Sequence, residues 1–116
     1  MSATNDGSSD VWRKRLKEAR LALGMSQKQL GIEAGLDEFV ASTRINRYEQ
    51  GVHAPDFQIA MRLAEVLEVP VAFLYCDADD MAQMILAFHR ASKSGRRQAL
   101  AALQQSPLAR GRQASA

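Results

Sequence analysis

The sequence predicts an all-α fold with a single core, and three observations support this. In every periodic segment of the 116-residue chain, apolar residues recur at helical spacing. No segment alternates apolar and polar residues for long enough to form a strand, and β-branched residues are few. Glycines, prolines and capping residues separate the periodic segments. A chain of this length, with 47% hydrophobic residues, forms one domain with at most a short appendage.

The first helix is expected after residues 1–9, which are rich in serine, asparagine, aspartate and glycine and should be disordered. Ser9 or Asp10 can serve as its N-cap, and Gly24 ends it. This helix should contribute one apolar stripe to the core. The stripe consists of Trp12, Leu16, Ala19 and Leu23.

Two further helices are predicted on either side of a turn. Ser26 is expected to cap a helix over residues 27–34, which ends at Gly35. The next helix is expected over residues 42–50, and it ends at Gly51. The residues around these two helices that should face the core are Leu30, Ala34, Ala41, Ile45 and Tyr48.

Four more helices are expected towards the C-terminus. Asp56 caps the fourth, and after Pro70 a short fifth helix spans residues 71–75. The sixth is expected over residues 79–91, and Ser94 can cap the seventh. The apolar face of the fourth helix consists of Ile59, Ala60, Leu63, Ala64 and Leu67, and that of the sixth consists of Met81, Met84, Ile85 and Phe88. In the seventh helix, Ala99, Leu100 and Leu103 are expected to face inward.

These elements divide the chain into four parts. They are a disordered arm (1–9), a five-helix unit (10–76), a helical extension (77–105) and a flexible tail (106–116). The apolar residues of the extension exceed what a small five-helix core needs. The extension is therefore either a dimerisation element or a pair of helices that folds back and enlarges the core.

Three segments carry a specific pattern when they occur in this order. A basic helix ends in Leu23-Gly24-Met25-Ser26-Gln27, a small-residue turn follows at Ala34-Gly35-Leu36, and Ile45-Asn46-Arg47-Tyr48-Glu49-Gln50-Gly51 runs into Pro55. Over residues 16–75, the sequence resembles the phage repressor and Cro-like (Xre-type) helix-turn-helix family of DNA-binding transcriptional regulators. The resemblance implies a five-helix repressor-like bundle, to which this chain adds two C-terminal helices.

The resemblance also implies which residues touch double-stranded DNA. In the family, the third helix enters the major groove and its early side chains reach the base edges. Matched residue by residue, Ser42, Thr43 and Arg47 fall at base-contacting positions. Arg47 is the strongest candidate, because a guanidinium can bond guanine O6 and N7 together.

Phosphate contacts are expected from two helices. Gln27 and Lys28 begin the second helix, which in the family crosses the phosphates with its N-terminal end. On the third helix, Arg44 and Asn46 are expected either to contact phosphate or to face solvent. These side chains would position the protein and carry less sequence discrimination.

Basic residues of the first helix are expected to have different roles. Arg20 and Glu49 match a pair that bridges the first and third helices in some relatives, which implies a partly buried salt bridge between them. The remaining basic residues occupy several helix faces, so only part of this cluster can approach DNA. They are Arg13, Lys14, Arg15 and Lys17.

One segment departs from the family pattern. Residues 37–44 separate Leu36 from Ile45, where the family typically has a segment about half as long. The extra residues either lengthen the turn or add a helical turn. The predicted start of the third helix differs by about three residues between these two alternatives. Either Leu36 or Val40 fills the core position of the turn. The carboxylates of Asp37 and Glu38 should be repelled by phosphates, so this turn is expected to lean away from the duplex.

The histidines, the single cysteine and the clustered aspartates are not expected to form a catalytic, metal or cofactor site. His53 and His89 are far apart in the sequence, and Cys76 has no partner at a ligand spacing. His53 stands where relatives often carry a lysine for the DNA backbone, and it either takes that role or faces solvent. The acidic residues Asp77, Asp79 and Asp80 precede a helix, where carboxylates favour the N-terminus. An enzyme is therefore not expected.

We expect a homodimeric repressor that binds an approximate palindrome. A single cysteine and the lack of a signal-like N-terminus or long apolar stretch are typical of a cytoplasmic protein. An alternative class is an antitoxin-like or anti-repressor interaction module that uses the C-terminal helices. Their basic residues, which would then meet an acidic partner, are Arg90, Lys93, Arg96 and Arg97.

Overall fold

The computed structural model describes residues 8–109, and this part of the chain is all-α, as predicted. The helices are α1 (Ser8–Ala22), α2 (Gln27–Glu33), α3 (Ala41–Glu49), α4 (Phe57–Leu67), α5 (Val71–Leu74), α6 (Asp79–Arg90) and α7 (Lys93–Gln104). Among the described residues, no helix has both the length and the apolar character that a membrane crossing requires. Residues 1–7 of the predicted arm and 110–116 of the predicted tail lie outside the described residues.

Three glycines end the first three helices where the sequence predicts. Gly24, Gly35 and Gly51 have φ angles of +68°, +94° and +76°. Other residues rarely adopt this left-handed region, because a Cβ atom would approach the neighbouring carbonyl oxygen. The chain therefore turns at these positions, and α3 packs against both α1 and α2.

Side-chain caps agree with the sequence at two of the four positions expected. Ser26 Oγ accepts from the third residue of α2 at 2.9 Å, and Asp56 Oδ1 accepts from the third residue of α4 at 2.9 Å. The prediction that Ser94 caps α7 is wrong. Ser92 is the cap, and its Oγ accepts from Gly95 N at 3.0 Å. Both serines have suitable chemistry, but the backbone leaves α6 in an extended conformation that already places Ser92 at the cap position.

The predicted limits of α1 need two corrections. Described from Ser8 onward, the helix contains Ser9 and Asp10, so the prediction that one of them is its N-cap is wrong. Leu23 follows the end of the helix and is exposed, so it does not extend the buried stripe.

The core is formed by one apolar face from each of the first five helices. Its largest fully buried aliphatic residues are Leu16, Leu30, Ile45, Leu63, Leu67 and Leu74. The predicted inward residues of α3, Ala41, Ile45 and Tyr48, are all buried. Helices α2 and α3 approach each other at Gly31, where a Cβ atom would lie 2.7 Å from Ala41 Cβ. This contact sets the close crossing of the two helices.

The extension partly enlarges this core and partly remains exposed. Ala82 of α6 is buried, and Ile85 and Leu86 pack against the core. In contrast, Leu100 and Leu103 of α7 are 50% and 54% exposed, so the prediction that they face inward is wrong. Helix α7 packs against α6, and much of its apolar side remains exposed. We call the exposed residues Met81, Met84, Phe88, Leu100 and Leu103 the C-terminal apolar face.

Candidate nucleic-acid interface

Helix α3 presents the three predicted base-contacting residues to solvent. Ser42, Thr43 and Arg47 are exposed, whereas Ile45 and Tyr48 of the same helix are buried. Thr43 and Arg47 are four residues apart and so lie on one side of the helix, one turn apart. We call Ser42, Thr43 and Arg47 the recognition surface.

The long turn before α3 has one anchored end and one exposed end. Leu36 is 7% exposed and Val40 is 43% exposed, so Leu36 fills the core position. Asp37 accepts two backbone hydrogen bonds, from Phe39 N to Oδ1 at 2.8 Å and from Val40 N to the carbonyl oxygen at 3.0 Å. The additional residues therefore lengthen the turn, and α3 begins at Ala41, one residue earlier than predicted.

The predicted phosphate-contacting residues differ in how they are held. Lys28 is exposed in the first turn of α2. Gln27 is half-buried, and its Nε2 donates to Glu49 Oε1 at 3.0 Å. Asn46 is also half-buried, while Arg44 is exposed and donates through Nη2 to the Tyr48 hydroxyl oxygen at 2.8 Å. Lys28 and Arg44 are thus the exposed side chains of this set.

Arg20 and Glu49, for which the resemblance implies a salt bridge, form a two-point ion pair. Arg20 Nε lies 2.6 Å from Glu49 Oε2, and Arg20 Nη2 lies 3.0 Å from Oε1. The third guanidinium nitrogen, Nη1, donates to the carbonyl oxygen of Met25 at 2.8 Å. The side chains are only 10% and 3% exposed, respectively. The pair joins the last turn of α1 to the end of α3, and through Gln27 it also contacts the start of α2.

The basic cluster of α1 separates into distinct sets of contacts. Lys14 Nζ lies 3.0 Å from Asp79 Oδ1, and Arg15 is buried. Arg13 Nη1 donates to the carbonyl oxygen of Gln50 at 3.4 Å, beside the end of α3. Lys17 is exposed. Arg13 is therefore the member of the cluster that the structure brings to the end of α3.

Sequence reasoning missed the role of Arg15, whose side chain is 2% exposed. Its Nε donates to the carbonyl oxygen of Cys76 at 2.7 Å, and its Nη2 donates to that of Asp77 at 2.8 Å and to Asp79 Oδ1 at 3.0 Å. Its Nη1 donates to Glu18 Oε1 at 3.2 Å. We call these contacts the Arg15 junction. It fixes the segment that joins α5 to α6 against α1.

The charges of the junction influence each other. Burial disfavours the charged guanidinium, but the hydrogen bonds to Asp79 and Glu18 outweigh it and raise the pKa of Arg15. Hydrogen bonds from Lys14 and Arg15 lower the pKa of Asp79. The charge of Asp79 therefore stabilises the fold above the ordinary pKa of an aspartate, and this contribution is lost as the pH falls through the lowered value.

Two of the three acidic residues lie at the N-terminus of α6, as predicted. Asp79 and Asp80 are in its first turn, where carboxylates are favoured, while the N-cap is Ala78, which makes no side-chain cap. Asp79 also binds Lys14 and Arg15 of α1, because tertiary packing brings these cations close. His53 is exposed. Within residues 8–109, no three His, Cys, Asp or Glu side chains form a group that could hold a metal ion.

Known proteins resemble this chain in sequence and in structure. A model of the helix-turn-helix family HTH_3 matches residues 16–74. Uncharacterised HTH-type transcriptional regulators from Sinorhizobium medicae (strain WSM419) and Rhizobium meliloti (strain 1021) are each 33% identical over 64 residues, 55% of this chain and 43% of the relative. The chain thus spans less than half the length of these curated relatives.

The crystal structure of transcriptional regulator BswR is also similar. It aligns with a TM-score of 0.77 and 41% sequence identity, over 81% of this chain and 93% of that chain. The aligned share is larger than the range of the family model, so the likeness extends beyond the helix-turn-helix unit. The family range contains α2, α3, the recognition surface and the Arg20–Glu49 pair. The chain therefore belongs to the phage repressor and Cro-like (Xre-type) helix-turn-helix family.

Proposed function

We propose that the protein is a sequence-specific transcriptional regulator that inserts α3 into the major groove of double-stranded DNA. The observation that carries this proposal is the recognition surface. Its three side chains are exposed on a helix whose opposite face is buried and whose end is held by the Arg20–Glu49 pair. A preformed helix of this kind can present polar side chains to base edges without a large ordering cost. A role on DNA implies a cytoplasmic location.

Each side chain has a role that follows from its chemistry. Arg47 would bond guanine O6 and N7, and the hydroxyls of Ser42 and Thr43 would bond neighbouring base edges. Lys28 would bind phosphate as an exposed cation. The hydrogen bond from Arg44 to Tyr48 occupies one of its five N–H donors, so the others could meet phosphate. Gln27 and Asn46 are half-buried, so they would contact phosphate only where the DNA backbone comes close to the protein surface.

Selection of bound duplexes from a random pool, followed by a salt titration, tests the proposal. We expect an enriched, approximately symmetric sequence, and an affinity that falls steeply between about 50 and 200 mM salt because phosphate-bound counterions are released. No retention of any duplex at low salt would contradict the proposal.

Replacing Arg47 by alanine is expected to remove discrimination at one base pair of the selected site. The loss should be about 1–3 kcal/mol of preference, since the bidentate contact to guanine disappears. Lys28→Ala is the matched control, and it should weaken binding to all sequences about equally and reduce the salt dependence. Titration of each variant against the selected duplex and its single-base variants measures both effects. Unchanged preference in Arg47→Ala would contradict the role of this residue.

We further propose that the protein binds its site as a homodimer and acts as a repressor. The C-terminal apolar face supports a dimer, because large exposed apolar patches mark interaction sites. Two copies would place their recognition helices about 34 Å apart on an approximate palindrome. Repression is the simpler outcome for a small protein, since occupying the DNA is sufficient to block other proteins.

Replacing Leu103 by glutamate is expected to convert the dimer into a monomer, because a charge would then lie in the apolar contact. Sedimentation at tens of micromolar protein measures this, with the wild type expected as a dimer. Leu108→Glu is the control, as this exposed leucine lies beyond α7. A monomeric wild type at these concentrations would exclude the dimer.

The same face also supports a second function, an antitoxin-like or anti-repressor module that covers another protein. Arg90, Lys93 and Arg97 are exposed near it and would favour an acidic partner. Arg96 is less available, since it donates to the carbonyl oxygens of Phe88 and His89 at 2.8 Å. Absence of any DNA binding at low salt would favour this function over the first.

A further inference from the structure

Phe39 is an aromatic side chain that the rest of the described protein leaves almost uncovered. It is 89% exposed, the largest value among the exposed large hydrophobic residues of the described chain. It lies three residues before Ser42 and four before Thr43, in the turn that leads into α3. The turn that carries the ring therefore directly precedes the recognition surface in the chain.

The turn that carries Phe39 is held in place at both ends. Asp37 accepts the hydrogen bond from the backbone N–H of Phe39 at 2.8 Å, and Arg44 N donates to the carbonyl oxygen of Val40 at 2.9 Å. On the other side, the buried side chain of Leu36 anchors the turn to the core. Because the backbone is already ordered, a contact made by this ring would cost little conformational freedom on binding.

We propose that Phe39 is a specificity-determining residue that contacts the 5-methyl group of a thymine in the major groove. This inference rests on the proposed function. Each base pair presents hydrogen-bonding groups in this groove, and the thymine methyl is the apolar group among them. A phenylalanine ring has no hydrogen-bonding atoms, so thymine is the base that it can favour. The contacted thymine would lie beside the bases read by Ser42 and Thr43.

The acidic residues of the turn and the ring of Phe39 respond differently to phosphates. The carboxylates of Asp37 and Glu38 are repelled by them, so these two side chains are expected to face away from the duplex. The Phe39 ring carries no charge and is not repelled. The carboxylate of Asp37 already accepts a hydrogen bond from the backbone of Phe39, which keeps it on the protein side of the turn.

Replacement of single thymines by deoxyuridine, which removes only the methyl group, tests the inference on the selected duplex. For the wild-type protein, we expect one such replacement per half-site to weaken binding by about tenfold, and Phe39→Ala to weaken binding to the unmodified duplex by a similar factor. Combined, the two changes should cause no further loss, because both remove the same contact.

Phe57→Ala serves as the control, since Phe57 is an exposed phenylalanine at the start of α4, away from α3 in sequence. We expect its deoxyuridine penalties to equal those of the wild type, and circular dichroism should show both variants folded. If Phe39→Ala binds like the wild type, or if it retains every deoxyuridine penalty, the inference is overturned. In either case, a wild-type protein that selects a sequence leaves the proposed function intact, whereas one that binds no duplex removes both.

Discussion

Replacing Glu49 by alanine is expected to lower the free energy of unfolding by about 3–5 kcal/mol. The Glu49 carboxylate accepts two hydrogen bonds from Arg20 and one from Gln27, and the pair is almost completely buried. Without it, the guanidinium of Arg20 would remain charged in a site that water barely reaches. In a domain of this size the melting temperature should fall by more than about ten degrees. Thermal unfolding followed by circular dichroism measures the change.

Two variants separate this effect from a general cost of substitution. Glu65→Ala removes an exposed glutamate of α4 and should change the stability by no more than about 0.5 kcal/mol. The double variant Arg20→Met with Glu49→Leu removes both charges, and we expect it to be more stable than Glu49→Ala alone. If Glu49→Ala melted within about one degree of the wild type, the pair would not stabilise the fold.

The second large effect is expected at the Arg15 junction. Arg15→Ala should lower the free energy of unfolding by about 2–4 kcal/mol, because two backbone carbonyl groups lose a charged hydrogen-bond donor. Glu18 and Asp79 add less to this loss, since their carboxylates are exposed and water can solvate them. Chemical denaturation measures the loss, and hydrogen exchange should show that the amides of α6 lose more protection than those of α3.

Lys17→Ala is the control for this substitution, because Lys17 lies on the same helix and is exposed. Its stability should stay within about 0.5 kcal/mol of the wild type. A loss of protection in Arg15→Ala that is equal in α3 and α6 would show that the junction does not hold α6. Under the proposed function, the junction would also fix the orientation of the C-terminal apolar face relative to the DNA-binding helices.

The resemblance and the structure contribute differently to the site. That Ser42, Thr43 and Arg47 share an exposed side follows from helical periodicity, once Ile45 and Tyr48 are assigned to the core. That Arg20 meets Glu49 does not follow from any local pattern, because the residues are 29 positions apart. It was predictable only through the resemblance to proteins with a similar pair. The exposure of Phe39 needed the structure, since the longer turn has no counterpart in the family pattern.

The sequence by itself determined the helices and most of their ends. Gly24, Gly35 and Gly51, together with the caps Ser26 and Asp56, act within about one helical turn, so their effect is encoded locally. Only the tertiary structure decided that Arg15 is buried while its neighbour Lys14 remains near the surface. The reason is physical: the carbonyl groups that receive Arg15 lie 61 and 62 residues further along the chain, and packing alone brings them to α1.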